Sequence, residues 1–182
     1  EPWDPPQYYV DQYDPGYEGD EIIYPCYGLS NFMSDAELNH VKALYAAEVT
    51  MVDRWLGHLL DTVDILGLNE DTMVVLMSDH GHYFGEHGQQ SKTGPLYEEV
   101  SHQILMIRHP EGIGAGKRLQ ALVQSPDVTV TIMDMLGVEA PTEMDMQGES
   151  LLPLMTGEKR SVRRAAISGG YPFYIPQTGV GI

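Results

Sequence analysis

The chain has 182 residues, of which 42% are hydrophobic and 20% charged, so it is long enough for one domain with a substantial core. Its formal net charge is −17, which argues against the basic surface that nucleic acids and anionic membranes require. No stretch approaches the ~18 consecutive apolar residues of a membrane span. The single cysteine, Cys26, excludes a disulfide framework within the chain and leaves the cellular compartment open.

Residues 1–33 are predicted to be irregular. Five prolines interrupt this stretch and forbid a continuous helix, and six tyrosines are distributed among them. Tyrosine suits half-buried positions, so we expect these rings to pin the segment to the surface of the fold, with lining of a substrate entrance as the alternative. We therefore interpret residues 1–33 as an insertion that precedes the core.

A long amphipathic helix is predicted to start after Ser34. Ser34 and Glu37 have the spacing of a capping box, and Gly67 is placed to end the helix. A lone histidine on a helix is more often structural than a ligand, so we assign no chemistry to His40 or His58. Nine apolar residues recur at helical spacing and define the face that we expect to be buried: Leu38, Val41, Tyr45, Val49, Val52, Leu56, Leu59, Val63 and Leu66.

The stretch that organises the chain follows this helix. The apolar run Val74–Met77 has no polar alternation, which is typical of a strand covered on both faces in a parallel α/β sheet. Such sheets bind ligands just beyond the carboxyl ends of their strands, where Ser78, Asp79 and His80 lie. Gly81 allows a sharp turn there. A carboxylate beside an imidazole makes a plausible pair of divalent-metal ligands, whereas the simpler alternative is a helix-capping aspartate with a chance neighbour.

The loop beyond Gly81 favours the ligand interpretation. Five of the seven histidines fall between Asp79 and Pro110. A loop rich in glycine and protonatable side chains is costly to order unless it serves a ligand. Its chemistry-bearing residues are His82, Gly85, Glu86, His87, Gly88 and Lys92.

Downstream, the pattern predicts a core that ends near residue 168, an irregular tail over residues 169–182, and no domain boundary. A helix is predicted with Ser125 as its N-cap and Pro126 at its first position. Its expected buried residues are Val128, Ile132, Met135 and Leu136. The other predicted elements are a short helix from Tyr97 and strands over Gln103–Ile107, Leu119–Val123 and Arg163–Ser168.

Three motifs, in order and with sensible spacing, resemble the sulfatase family of the alkaline-phosphatase superfamily. The first is Ser-Asp-His-Gly-x-x-x-Gly-Glu-His-Gly-x-x-x-Lys, from Ser78 to Lys92, followed by Tyr97-Glu98-Glu99. The second is Pro126–Val138, with Val130 where the family has proline, and the third is Gln147–Leu154. The resemblance covers roughly residues 36–168. It implies an alkaline-phosphatase-like α/β fold, with a mostly parallel sheet sandwiched by helices, of which this chain would be a partial domain.

One family motif is absent from the sequence. Sulfatases carry a Cys/Ser-x-Pro-x-Arg segment whose first residue becomes formylglycine, the nucleophile. Around Cys26, Gly28 stands where that motif has proline and Ser30 where it has arginine, so Cys26 is not this nucleophile. Because the chain also begins at Glu1, we expect it to be a carboxy-terminal portion of a longer enzyme, with the formylglycine segment and further metal ligands upstream.

The resemblance implies roles for particular residues. Asp79 and His80 would bind a divalent metal, calcium in most sulfatases. His80 stands where many sulfatases have asparagine and also suits manganese or zinc. Lys92 would contact a non-bridging oxygen of a small anionic ester and stabilise charge as its bond breaks. Asp127 would cap or buttress the fold. The weaker candidates for protonating the leaving alkoxide are His82, His87 and His102.

These roles predict a metal-dependent sulfatase whose carboxy-terminal part, taken alone, does not turn over substrate. Two alternatives remain open on the sequence: a phosphodiesterase or phosphonate monoester hydrolase of the same superfamily, which His80 favours, and a non-catalytic homologue. The expected partners are the anionic ester and the remainder of the parent catalytic domain. The metal, the exact substrate, the compartment and the oligomeric state are left open by the sequence.

Overall fold

The computed structural model describes residues 2–24, 28–139 and 143–169. These residues form two compact units, and each is described separately below. The first contains the described residues up to Leu68 together with His80–Gln103, and the second contains Asn69–Asp79 and Ile104–Ser168. Cys26 and all of the predicted tail after Gly169 lie outside the described residues.

The first unit is organised on α2 (Asp35–Ile65), the predicted long helix. The Ser34 hydroxyl accepts from the Glu37 amide and the Glu37 carboxylate accepts from the Ser34 amide, so the predicted capping box is present. Gly67 follows the helix with φ of 68°, a left-handed value that suits the glycine predicted to end it. These signals are local in sequence, which is why the helix could be placed without knowing its partners.

The buried face of α2 is shorter than predicted. Only its first half is covered, and the second half of the predicted apolar stripe is exposed, with Val52 57% and Leu59 58% exposed. His40 is buried as expected for a structural histidine, with Nδ1 2.9 Å from Asp14 Oδ2 and its ring stacked on Tyr17. The buried residues of the helix are His40, Val41, Ala43, Leu44 and Ala47.

The amino-terminal segment contributes to this core, which the sequence interpretation missed. It contains a short helix, α1 (Gln7–Val10), that packs on α2. Trp3, Tyr9 and Val10 are each less than 7% exposed and join the core of the first unit with Val41. The prediction that tyrosines pin the segment holds for Tyr9, but the segment is part of the core rather than a surface insertion.

Short antiparallel strands complete the first unit: β1 (Gly28–Leu29), β3 (Tyr83–Phe84) and β4 (Gln89–Ser91), in the order β1-β4-β3. A 3₁₀ turn, Glu86–Gly88, connects β3 to β4, and another, Ser30–Phe32, precedes α2. The predicted short helix is α3 (Glu98–Ser101). This small sheet carries the histidine- and lysine-bearing loop.

The second unit contains the two strands predicted around the motif, β2 (Val74–Met77) and β5 (Leu105–Arg108). They pair antiparallel, with Val74 opposite Arg108 and Met77 opposite Leu105. The parallel pairing expected for the apolar run is therefore wrong for this pair. Sheets of α/β proteins commonly combine antiparallel strands with parallel ones, so the pairing is compatible with the fold class.

The second unit also contains α4 (Ser125–Met135) and α5 (Leu152–Thr156). The N-cap of α4 is Gln124 rather than the predicted Ser125, because Gln124 and Asp127 form a reciprocal capping box. Val128 is buried as predicted, but Leu136 is 66% exposed. The strands predicted over Leu119–Val123 and Arg163–Ser168 do not form, since neither segment pairs with a neighbour.

No helix among residues 2–24, 28–139 and 143–169 combines the length and the apolar character needed to cross a bilayer.

Candidate active site

The chain enters the candidate site at the carboxyl end of β2, as the sequence predicts. Ser78 follows the strand, its amide donates to the carbonyl of Ile104, and its hydroxyl accepts from the Ile104 amide at 3.2 Å. Asp79 is exposed and His80 is half-buried. The antiparallel partner strand therefore fixes the point at which the two predicted metal ligands leave the sheet.

His80 has a defined tautomer. Its Nδ1 lies 2.9 Å from the carbonyl oxygen of Gly81, which can only accept, so Nδ1 carries the proton. Its Nε2 lies 3.1 Å from Nζ of Lys92, an ammonium that can only donate, so Nε2 provides the lone pair. The structure thus brings together two of the predicted site residues that are twelve positions apart in sequence.

Lys92 is presented by a strained and polar segment. Ser91, which precedes it, has φ of 83°, a left-handed value that is unfavourable for a residue with a side chain. Gln90 and Ser91 are fully buried. Among the described residues, three buried oxygens around Lys92 lack a hydrogen-bond partner: Gln90 Oε1, Ser91 Oγ and Thr93 Oγ1. No sequence pattern predicts these unpartnered oxygens, because Ser and Gln form no recognisable turn or site motif here.

The turn after His80 needs a glycine for reasons of space. The Gly81 amide donates to the carbonyl of Val100, and the His82 amide donates to the carbonyl of Glu99. A Cβ at Gly81 would overlap the Glu99 carbonyl oxygen. This close approach ties the His80 turn to the start of α3.

His82 lies among aromatic rings. Its imidazole centroid is 4.8 Å from that of Trp3 and 4.7 Å from that of Phe84, and its Nε2 is 3.5 Å from the Gln90 amide nitrogen. Burial, followed by the neighbouring His80 and the positive charge of Lys92, lowers the pKa of His82 to about 4. His82 is therefore neutral at physiological pH, which makes it a poor proton donor.

His87 is in a different environment. Its backbone is left-handed, with φ of 54°, and its ring stacks on Tyr97 with centroids 3.9 Å apart. Its Nε2 lies 3.3 Å from a carboxylate oxygen of Glu99, and 43% of its side chain remains exposed. His102, the third candidate, pairs with Glu98 on an open surface, where both side chains are more than three-quarters exposed.

The structure bears on the metal prediction through the side chains that could coordinate a metal ion. Within the described part of the chain there is no group of three or more His, Cys, Asp or Glu side chains that could hold a metal ion. Asp79 and His80 fit part of such a site, since the hydrogen bond from Nδ1–H to a carbonyl oxygen leaves Nε2 as the nitrogen that a metal would bind, in exchange for its contact with Lys92 Nζ. Two ligands do not complete a coordination sphere, so the others would have to come from beyond these residues.

Asp127 is a structural centre of the second unit, consistent with the buttressing role implied by its motif. It is fully buried and accepts hydrogen bonds from the amides of Gln124 and Glu149 and from both terminal nitrogens of Arg163. Burial raises its pKa, but Arg163 and the two amides outweigh burial and hold the pKa below its usual value. Nearby, the Thr131 hydroxyl accepts from the Leu151 amide at 2.9 Å.

The comparisons with known proteins agree with these motifs. A family described as N-sulphoglucosamine sulphohydrolase, C-terminal, matches residues 85–178. The chain belongs to the sulfatase family. A second, superfamily-level match, to type I phosphodiesterase / nucleotide pyrophosphatase, covers residues 25–102. Together they match the carboxy-terminal portion of a sulfatase of the alkaline-phosphatase superfamily, as the sequence predicted.

Individual relatives and solved structures support the same superfamily. An N-acetylglucosamine-6-O-sulfatase from Bacteroides thetaiotaomicron is 35% identical over 71% of this chain and 23% of its own length. The structure of BT4656 in complex with its substrate D-glucosamine-2-N,6-O-disulfate has a TM-score of 0.69 and 32% identity, over 78% of this chain and 30% of that one. The phosphonate monoester hydrolase of Agrobacterium radiobacter has a TM-score of 0.63 and 27% identity, over 68% and 24%.

These similarities confirm the alkaline-phosphatase-like fold class, present here as a partial α/β domain. The chain spans less than a third of the length of each of these three proteins.

Proposed function

We propose that this chain is the carboxy-terminal part of a metal-dependent sulfatase that hydrolyses sulfate esters. The observation that carries the proposal is the pairing of Lys92 with His80, since a strained turn brings the cation within 3.1 Å of an imidazole that the family motif assigns to the metal. The sulfatase family match over residues 85–178, which include Lys92, and the similarity to sulfatase relatives support it. The cost of ordering such a turn is expected where it serves a ligand.

Each residue of this group has a chemical role in the proposal. Asp79 and His80 would hold a divalent metal, with calcium as the expected ion and manganese or zinc as alternatives. That metal, when bound, supplies positive charge toward the ester and its nucleophile. Lys92 contacts a non-bridging oxygen of the sulfate and neutralises charge as the ester bond breaks. The local positive charge offsets the overall charge of −17, so an anionic substrate is not repelled from the site.

The proposal includes the remainder of the parent catalytic domain as a partner. The second half of α2 leaves large apolar side chains exposed, among them Trp55 at 66% and Ile65 at 82%. An apolar face of this kind on a long helix is normally covered. The proposed nucleophile, a formylglycine, belongs to that remainder, so the 182 residues alone are expected to show no turnover. Sulfate release by this chain alone that disappears in Asp79→Ala would contradict that part of the proposal.

The deciding experiment is hydrolysis by the intact enzyme of 4-nitrophenyl sulfate and of bis(4-nitrophenyl) phosphate, each with and without chelator. Faster, chelator-sensitive cleavage of the sulfate supports the sulfatase. If the enzyme cleaves neither ester, both enzymatic hypotheses are rejected and a non-catalytic homologue is left.

A second candidate function is phosphodiester or phosphonate monoester hydrolysis. His80 favours it, and so do the phosphodiesterase match over residues 25–102 and the likeness to the Agrobacterium hydrolase. In this case the same experiment gives faster cleavage of the phosphodiester, and Lys92 would neutralise charge on a phosphoryl group instead.

A further inference from the structure

Lys92 is the first residue of an irregular segment, the lysine loop (residues 92–96), which joins β4 to the start of α3. The side chain of Lys92 is long and exposed, yet its Nζ lies 3.1 Å from Nε2 of His80. Ordering a loop and a lysine side chain costs conformational entropy, so contacts elsewhere must hold the loop in place. The residues that make those contacts determine where the ammonium of Lys92 lies.

Tyr83, the first residue of β3, holds the beginning of the lysine loop. Its backbone is paired with Ser91, the residue directly before Lys92, and the register continues with Phe84 opposite Gln90. Ser91 has a left-handed φ of 83°, which a residue with a side chain seldom adopts. Such a conformation persists only where the surrounding structure enforces it. The strand pairing with Tyr83 therefore helps to set the direction in which the chain enters the loop.

The side chain of the same tyrosine holds the other end of the lysine loop. Tyr83 is fully buried, and its hydroxyl donates to the carbonyl of Pro95. The same hydroxyl accepts from the amide of Tyr97 at 3.0 Å. Both functions of a buried hydroxyl, as donor and as acceptor, are thus used on the segment that follows Lys92. One residue closes the loop at both ends.

The contact with Tyr97 also connects the lysine loop to the turn that carries His80. Tyr97 is the N-cap residue of α3. The two amides that follow His80 in the chain donate to carbonyl oxygens of α3. The His80 turn is therefore bonded to the same short helix whose first residue is held by the Tyr83 hydroxyl.

We propose that Tyr83 is a positioning residue that places the ammonium of Lys92 beside His80, through its backbone pairing with Ser91 and its hydroxyl bonds to Pro95 and Tyr97. The inference rests on the sulfatase function proposed above, in which Lys92 contacts the sulfate. Because its side chain is fully buried, Tyr83 does not touch the ester and acts on the rate only through Lys92. Without the hydroxyl, the loop can place the ammonium elsewhere, and a displacement of about 1 Å can cost about 100-fold in rate.

The test is a double-mutant cycle in the intact enzyme, with 4-nitrophenyl sulfate as the substrate. Tyr83→Phe removes the hydroxyl and keeps the ring. We expect kcat to fall about 10- to 100-fold and KM to change less, since Lys92 acts on charge that develops as the ester bond breaks. In a Lys92→Ala background the same substitution should change kcat by less than about twofold, because the group that Tyr83 positions is gone.

Tyr13→Phe is the matched control. It also removes a tyrosine hydroxyl from a hydrogen bond in the first unit, in this case a bond of 2.5 Å to Thr50 on α2, and it should change neither kcat nor KM. An unchanged kcat in Tyr83→Phe, or an equal loss with and without Lys92, would overturn the inference. Urea unfolding shows whether each variant is folded. If Tyr83→Phe is not, 4-aminophenylalanine at position 83 keeps the ring and a donor for the Pro95 carbonyl, and it should give the same Lys92-dependent loss at a smaller size.

NMR of the intact enzyme with ¹⁵N-labelled histidine, freed of metal by a chelator, gives a readout independent of turnover. Lys92→Ala removes the donor to Nε2 of His80 and should shift the signal of that nitrogen. Tyr83→Phe should shift it in the same direction, and Tyr13→Phe should leave it unchanged. An unchanged His80 signal in Tyr83→Phe would reject the positioning role even if no variant were active. A wild type that shows these shifts but hydrolyses no sulfate ester would instead reject the proposed function.

Discussion

Two polar clusters in this protein differ in whether their buried oxygen atoms have hydrogen-bond partners. Around Asp127, in the second unit, the buried carboxylate receives hydrogen bonds from two backbone amides and from the guanidinium of Arg163. Around Lys92, in the first unit, Gln90, Ser91 and Thr93 each bury an oxygen that has no partner among the described residues. The backbone at Ser91 is also left-handed.

Under the proposed function, this difference is that between a cluster that stabilises the fold and one that serves a ligand. A satisfied buried ion pair is costly to break, because removal of one partner leaves the other charge uncompensated. An unsatisfied buried polar atom costs about 1–3 kcal/mol, and such costs are concentrated at functional sites. Substitutions around Asp127 should therefore change stability, whereas substitution of Lys92 should change activity alone.

The largest expected effect is on the Asp127 cluster. Asp127→Ala leaves Arg163, whose side chain is only 13% exposed, without its carboxylate, so we expect a loss of about 3–5 kcal/mol in the free energy of unfolding. Urea unfolding of the chain measures it. Asp71→Ala, at an exposed aspartate of the same unit, should change stability by less than about 0.5 kcal/mol. A similar small change in Asp127→Ala would remove the contrast between the two clusters.

The same cluster should make stability sensitive to acid. The pKa of Asp127 is lower in the folded chain than its ordinary value of 3.8, so the folded state holds the carboxylate charged where the unfolded state begins to bind protons. This stabilisation is complete above the unfolded pKa and is lost as the pH falls through the folded one. Urea midpoints measured from pH 6 down to about pH 2.5 should fall more steeply in the wild type than in Asp127→Asn, and parallel curves would contradict the assignment.

Lys92→Ala tests the other cluster. Removal of a cation that stabilises charge in the transition state typically costs about 100- to 1,000-fold in kcat, and we expect this loss for 4-nitrophenyl sulfate in the intact enzyme. Lys92 is exposed, and its loop already buries oxygen atoms that lack hydrogen-bond partners among the described residues. The urea midpoint should therefore hardly move. Lys42→Ala, an exposed lysine on α2, is the matched control and should keep full activity. A Lys92→Ala enzyme that loses stability and not activity would reverse the comparison.

The sequence predicted those parts of the fold that local signals determine. The capping box of Ser34 and Glu37 and the terminal Gly67 placed α2 correctly, and the apolar run Val74–Met77 placed Asp79 at a strand end. The family motif places His80 and Lys92 in one site, which stays a prediction, and the structure brings the two side chains within 3.1 Å of each other.

Features that depend on distant partners could not be predicted in this way. The strands expected over Leu119–Val123 and Arg163–Ser168 have suitable composition but no neighbour to pair with. Trp3 joins the core only because α2 and the loop fold around it. The sequence places Glu99 in a short helix and predicts no contact with His87, since that contact spans twelve residues and follows no recognisable spacing.

A smaller effect should come from the glycine that packs the site. Gly81→Ala places a methyl group on the Glu99 carbonyl, so the His80 turn or α3 must move, at a cost of about 1–3 kcal/mol. Gly57→Ala is an informative counterpart, because Gly57 lies inside α2 with open space around it and should gain about 0.5–1 kcal/mol from helix propensity. Urea unfolding should give opposite signs for the two variants. The same sign in both would show that the His80 turn adapts more easily than its packing indicates.

The smallest expected effect tests whether the loop around Lys92 carries strain. Ser91→Gly relieves the left-handed backbone and removes a buried hydroxyl without a partner, so the free energy of unfolding should rise by about 1 kcal/mol. Ser91→Ala removes the hydroxyl but keeps the strained backbone, so its gain should be smaller. If the intact Ser91→Gly enzyme is more stable and less active, the strain is what directs Lys92 toward His80. A Ser91→Gly variant that is less stable would mean that the hydroxyl contributes to the folded loop, and the contrast with Asp127 would then rest on Lys92 alone.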